Sequence, residues 1–485
     1  GLTAFNNAGT VNVTAGTLTL NVPTTQSGTF DIAVGATLST NGAALINSVT
    51  GTIRGSGTVN LTAATLTNNG IVAPGAATGD TTGTLSITGN YTQGAGGALN
   101  VELGGTAAGD FDVLAVSGTA TLAGALNRSY VNSYTPAPGD ALTVLTYGSR
   151  SGTFGSGTDP NSLALVYGAT ALNLLKTSGA ANTWALTVGG DWNTAANWSL
   201  GHVPTSTEEG VVSDLSGTPT ITLASGAPTA GAFRFFGDET FQLNSGGTLT
   251  VSGTSSMGAG STLHINGGTL TMNNSLTVPN LTLSSGTLQG AGTVTVNSAM
   301  NWTGGSINSN PGGVNIASGA ALNISGAGAK TVNGGVLNNA GTATWTDAGN
   351  IATANGAAIN NQATGVFDIQ TDADISYDFG GAFPTFNNAG LLKKTVATGE
   401  TVIGSGNSIH FNLTGGSIDV QTGTLMMGGN FNVTGPASSS LLGGTVNVSG
   451  AQLSSTSTAD LVISPGGALN FNGGTHTLNS GADFT

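Results

Sequence analysis

Four aspartates, Asp368, Asp372, Asp374 and Asp378, fall within eleven residues. Carboxylate oxygen is the ligand that Ca²⁺ prefers, so Asp372, Asp374 and Asp378, with Asp368 beside them, are candidate cation ligands. Their spacing is not that of an EF-hand, and the Gly-Gly-x-Gly-x-Asp nonapeptide of calcium-binding solenoids is absent, so a solvated loop competes with the metal reading. Asp110 and Asp112 flank Phe111; alternation on a strand predicts that both face solvent. Three of the five tryptophans, Trp184, Trp192 and Trp198, lie within fifteen residues. Trp192 and Trp198 are candidates for stacking on sugar rings; the competing reading is that the three indoles plug a core. The histidines, at 202, 264, 410 and 476, are scattered, and neither G-x-S-x-G nor H-E-x-x-H occurs. Gly326 to Thr331 mimics a phosphate loop, but Ala329 stands before Lys330 and a turn is expected. Lys393-Lys394 reads as a solvated basic pair.

What must position these groups is set by composition. The chain has 485 residues, 6% charged, with 80 Gly, no Cys and a net charge of −14. Eight Lys plus Arg exclude a coiled coil and leave no basic cluster to neutralise phosphates, so no nucleic-acid partner is expected. Without cysteine there is neither a disulfide framework nor a thiolate metal site. No apolar run of about 18 residues marks a transmembrane helix, and no basic stretch followed by an apolar one marks a signal peptide.

Repetition then dominates. Gly-Thr-aliphatic-x-aliphatic recurs at Gly9, Gly16, Gly28, Gly247, Gly268, Gly423 and Gly444, and Asn-Asn-Ala-Gly stands at Asn6, Asn338 and Asn387 with a variant at Asn360. Gly247 to Gly268 and Gly423 to Gly444 are each 21 residues; Gly341 to Gly365 is 24 and Gly365 to Gly390 is 25. Each short piece alternates apolar and polar residues and ends in Gly, Asn or Ser, as a short strand does. Such a strand cannot bury its own apolar face, whereas stacked repeats share one narrow core. Stacking also accounts for the low charge, because like charges would lie about 4.8 Å apart in successive coils, while Thr, Ser and Asn tolerate that spacing and Asn forms side-chain ladders. The expected fold is all-β, a parallel β-helix (β-solenoid) with about three short strands per coil in two stacked units. A disordered Gly/Ser linker and an antiparallel sandwich are the rivals; β-branched residues at fixed offsets and the 21-to-25-residue period disfavour them. Four regions follow: solenoid repeats over 1–83, an aromatic-richer terminal or capping module over 84–178, a Trp-rich start module over 179–239, and a second repeat region over 240–485.

Certain segments resemble a known family. Gly89-Asn90-Tyr91-Thr92-Gln93, the stretch Gly96 to Gly105 and the run Asp112 to Leu122 are similar to bacterial autotransporter passenger domains, as is Pro138-Gly139-Asp140. The block Trp192 to Ser199, continuing to Val203-Pro204, resembles the opening of repeat units in very large bacterial surface proteins. The flanking Gly-Thr repeats are similar to filamentous-haemagglutinin-type adhesins. The resemblance implies a fragment of a secreted β-solenoid adhesin at the bacterial cell surface, non-catalytic, with host or neighbouring cells, glycans or matrix as partners and self-association as a further expectation. Neither a translocating β-barrel pattern nor a secretion domain is recognised. About twenty coils at 4.8 Å each make a stalk on the order of 100 Å. Two alternatives stay open. Parallel β-helices host polysaccharide-degrading enzymes, which need paired carboxylates or a carboxylate beside a base; this is an analogy of fold. Thr-x-Thr strands at Thr248, Thr269, Thr293 and Thr342 can build a flat array like that of ice-binding solenoids. No cofactor is expected other than Ca²⁺.

Overall fold

The short alternating strands do stack. In a computed structural model the chain is 57% strand and 1% helix, a parallel β-solenoid of about 20 turns in all. The structure describes residues 4–75, 82–155, 157–215, 217–308, 312–404, 408–433, 439–448, 453–455, 461–463 and 465–472. His476 lies outside them. The chain divides into two compact units, Gly1–Ala181 and Asn182–Thr485.

In Asn182–Thr485 each turn contributes three strands, one to each of three faces. On every face at least eleven successive parallel pairings join twelve strands, and on one of them Gly190–Asp191 adds another. One face runs from Glu208–Val212 to Leu453–Ser455. The second runs from Thr220–Leu223 to Leu461–Ile463. The third runs from Thr229–Ala230 to Gly467–Phe471. Inward residues repeat from turn to turn, so Phe386, Phe411 and Phe431 form one column, with ring centroids 5.3 and 5.7 Å apart.

The Asn-Asn-Ala-Gly phrase is a corner with two ladders. Its first Asn points outward: Asn315, Asn338, Asn360, Asn387, Asn412 and Asn432 join in one file through amide hydrogen bonds of 2.6–2.8 Å. Its second Asn is buried. Asn339 donates to Asn361 Oδ1 and Asn361 to Asn388 Oδ1, and the three Nδ2 groups also reach the carbonyls of Val366, Leu391 and Ser417 on the far side of the bend. These amides satisfy backbone groups where the strand ladder is interrupted. The glycine is dictated by closeness: a Cβ on Gly341 would sit 2.1 Å from the Ala320 carbonyl oxygen.

Gly1–Ala181 uses the same device. Asn7, Gln26, Asn47, Asn68 and Gln93 stand in register and are all buried. Tyr91 Oη joins the file between Asn68 and Gln93. Parallel pairing continues through Thr84–Gln93 and Ala98–Leu103. The change of composition near residue 84 therefore brings larger core residues without a change of pairing. Apart from isolated bridges, antiparallel pairing of strands begins where Ala141–Thr146 meets Ala171–Leu175, which also pairs with Ala164–Tyr167.

Replacing Asn361 with Ala orphans buried donors and acceptors on two neighbouring turns and should cost about 1–3 kcal/mol. Replacing the outward Asn360 should cost no more than about 1 kcal/mol. Urea midpoints of the two variants check this; equal midpoints would show that the buried file is not what holds the corner.

Candidate functional site

Most turns leave no room for a site, because a corner of two or three residues returns the chain at once to the next strand. The longest step in the outer Asn ladder, 27 residues from Asn360 to Asn387, is the exception. The excess lies in the loop 378–384, between Ile375–Tyr377 and Thr385–Asn388. Phe379 is 62% exposed and Phe383 53% exposed. Phe383 packs against Tyr377 on one side and against the His410 ring on the other, at centroid distances of 5.6 and 5.7 Å. The loop is pinned to the preceding turn, where Asn355 N donates to Gly380 O and Gly356 N to Ala382 O, while Tyr377 Oη donates to Gly381 O. Gly380 and Gly381 have φ of +80° and +87°, and a Cβ on Gly381 would lie 2.0 Å from Asn355 Oδ1. The result is a braced, outward aromatic pad with Ser376 and Asp378 beside it, and Ser376 Oγ donates to Asp378 Oδ2. Flat apolar rings beside hydroxyl and carboxylate groups suit the faces and hydroxyls of sugars.

The expected stacking residues are elsewhere. Trp192 and Trp198 are 0% and 2% exposed. Trp198 packs edge-on against both Trp192 and Trp184, and Trp192 stacks on Phe241 at 4.8 Å. A sugar ring would have to displace these partners, so the surface-stacking role is corrected to a packed aromatic core in the first turns of Asn182–Thr485.

The four clustered aspartates do not converge. Asp372 takes Lys394 Nζ at 2.7 Å and Gly399 N, and Asp374 Oδ1 takes Val402 N. Asp378 is engaged by Ser376. Asp368 lies buried on Val366–Ile369 and accepts from Thr395 and Gln370, with Lys393 Nζ at 3.3 Å. Each carboxylate is therefore tied to its own donors, on the next turn for Asp372 and Asp374, on its own turn for Asp378 and on both for Asp368. The basic pair is not a solvated loop either: it ends the strand Leu391–Lys394, whose alternation sends Lys394 inward. There its ammonium meets Thr371 O, Asp372 and Thr401 Oγ1. Lys330, in the phosphate-loop mimic, is also buried and donates to Gly326 O and Gly328 O. Its loop offers carbonyls to its own lysine rather than amides to a phosphate. Among the histidines, His264 bonds Ser284 Oγ at 3.0 Å, and burial holds its pKa below the ordinary range; His202 Nε2 lies 3.6 Å from Glu208.

The threonine strands are divided among faces. Thr248, Thr269 and Thr287 share a column. Thr293 and Thr342 stand on the other two faces, so the four Thr-x-Thr strands do not make one array.

A second polar concavity lies in Gly1–Ala181. The strand Ile71–Pro74 pairs with Ala98–Leu103 at only two positions, Ile71↔Ala98 and Val72↔Leu99. Beyond them a cleft of about 330 Å³ opens, lined by Thr52, Arg54, Asn100, Glu102, Asp112 and Ser129 among others. Asp112 corrects the expectation that it faces solvent: it is 1% exposed, and its two oxygens accept from Gly83 N at 2.8 Å and Glu102 N at 2.9 Å. The chain bends back at this point to bridge Leu103 and Phe111 in antiparallel fashion, which turns Asp112 towards the main chain of the preceding strand at Glu102 and of Gly83 one turn earlier. Asp110 stays exposed. Burial, augmented by Glu102 and opposed by the two amides, pushes the Asp112 carboxyl up to about 7. Two carboxylates beside Arg54 are the kind of group that acid–base chemistry uses, but both Asp112 oxygens are committed to backbone donors.

Compared with protein-family models, with curated proteins and with solved structures, the chain gives no significant match in any of the three. The likeness to autotransporter passengers and filamentous-haemagglutinin-type adhesins therefore rests on sequence motifs and on the β-solenoid fold. No helix among the described residues is long and apolar enough to cross a membrane.

Because the folded state holds the Asp112 proton more tightly than the unfolded chain, whose carboxyl titrates near 3.8, this group's contribution to stability falls as pH rises from about 4 to about 7. Asp112→Asn removes that slope. Urea midpoints of wild type and variant should converge or cross over this range in favour of the variant at the higher pH; a constant difference would show that Asp112 does not titrate there.

Proposed function

We propose that the chain is a non-catalytic structural and adhesive rod, exposed outside a bacterial cell, that holds glycans, matrix or a neighbouring surface through spread, repeated contacts. The observation that carries this reading is the unbroken stacking of twelve turns on all three faces of Asn182–Thr485, about 55 Å of rigid surface at 4.8 Å per turn. Its outer positions are amides and hydroxyls, which offer many shallow hydrogen bonds that gain strength by multivalency. The pad of Phe379 and Phe383 supplies a paired aromatic anchor on such a surface. All eight cationic side chains are engaged within the chain. Arg54, Arg128, Arg234, Lys393 and Lys394 meet carboxylates. Lys176 and Lys330 bond carbonyls, and Arg150 lies over the Tyr167 ring. With a net charge of −14, this disfavours nucleic acids and other polyanions as partners and favours neutral ones. The motif resemblance to bacterial surface adhesins points the same way.

The Asp112 cleft favours a second reading, a polysaccharide-cleaving enzyme, and one experiment separates the two. The full chain is immobilised and offered a panel of neutral and acidic polysaccharides, with retention and chain cleavage both measured. The expected outcome is retention of a neutral glycan that weakens about tenfold or more in a Phe379→Ser/Phe383→Ser double variant, with no new chain ends. Cleavage that stops in Asp112→Asn would replace the adhesive reading with the enzymatic one.

A further inference from the structure

The strands Ala232–Phe235 and Thr240–Asn244 are joined by a tight corner, 236–239, that sits one turn above Asp214 and Leu215. Phe236 N donates to Val212 O, and Thr262 N to Glu239 O, so the corner is held from both neighbouring turns. Three carboxylates meet here. Asp214, Asp238 and Glu239 each bring a ligand oxygen within 4.8 Å of the other two. The approach depends on Gly237: a Cβ at that position would lie 2.5 Å from Asp214 Oδ1 and 2.6 Å from Glu239 Oε1. Any larger residue would drive these two oxygens apart.

Glu239 supplies an independent observation. It is fully buried. Its Oε1 accepts from Leu215 N at 2.6 Å, but its Oε2, also shut off from solvent, meets no donor. A buried carboxylate oxygen without a partner is costly, and a cation held between the three acids removes that cost.

We propose that Asp214, Asp238 and Glu239 bind one hard divalent cation, and that calcium is the ion this all-oxygen, partly open site fits. Bound there, the ion joins two successive turns, since Asp214 belongs to one and Asp238 and Glu239 to the next. It therefore fastens the early turns of Asn182–Thr485 at a corner where no amide ladder runs.

The test is calorimetric titration of the full chain with CaCl₂ after chelation, with melting followed in parallel. Expected are a saturable heat of one ion per chain, an apparent dissociation constant in the range of about 10⁻⁵–10⁻³ M, and a melting temperature raised by calcium. Asp238→Asn, at an exposed position that leaves the core untouched, should weaken binding about tenfold or more and abolish the rise in melting temperature. Glu239→Gln should do the same if it folds. Asp374→Asn, in the other acidic cluster, should change neither quantity. No saturable heat at about 10 mM calcium, or an unchanged titration in Asp238→Asn, would overturn the proposal.

Discussion

Each side chain in this protein lies over its counterpart one turn away, at the roughly 4.8 Å spacing of parallel strands. Every column must therefore tolerate its own neighbours. Carboxamides tolerate them best, because an amide is donor and acceptor at once and can extend a file without limit. That is the logic of the outer file from Asn315 to Asn432 and of the buried files at the corners. Aromatic rings tolerate it by stacking, as Phe386 and Phe411 do at an interplanar angle of 12°. Charges tolerate it only by alternating: Asp368, Lys393 and Asp419 follow one another in register, as do Asp31 and Arg54. The scarcity of charge and the pairing of five of the eight cations with acids are one constraint seen twice.

A column that satisfies itself has nothing left for a small ligand. Chemistry enters only where register is lost. The aromatic pad exists because one corner is longer than the others, the Asp112 cleft because two strands part after Val72 and Leu99, and the carboxylate corner because Gly237 lets two acids come close. At the pad the flanking strands keep their pairing, so the core does not register the insertion, and the extra residues are tied back to the previous turn by main-chain hydrogen bonds. Loops braced in this way lose little further entropy on binding.

The fold was legible because its signal is repetition. Gly-Thr-aliphatic-x-aliphatic and Asn-Asn-Ala-Gly recur at a period that only stacking explains, and both phrases map onto strands and corners. The sites were much less legible. A residue's neighbours in a solenoid are one turn away, and carboxamide ladder partners here are separated by anything from 19 to 27 residues. The inward turn of Asp112, the salt bridge between Lys394 and Asp372 and the meeting of Asp214 with Glu239 all depend on those unequal lengths. Local alternation predicted a solvated Lys393-Lys394 pair because it did not fix which of the two faced inward. The Trp residues drew notice by their density, yet density of large rings marks a core as readily as a surface. The pad had a fainter trace: one repeat lengthened to 27 residues, containing Gly380-Gly381 between two phenylalanines.

That trace suggests how such a chain diversifies. The energy of a turn lies in its contacts with the turns on either side, so changing a corner perturbs at most two interfaces. Changing an inward residue perturbs a column, and an Asn removed from a buried file strands the amides both above and below it. Variation is thus steered towards corners, where added residues reach solvent without passing through the core. A surface built this way presents a monotonous polar face punctuated by individual, braced loops, and it is the loops that can differ from one turn to the next. Specificity then resides in a few corners such as 378–384, while the ladders between them set only the distance and orientation at which those corners are held.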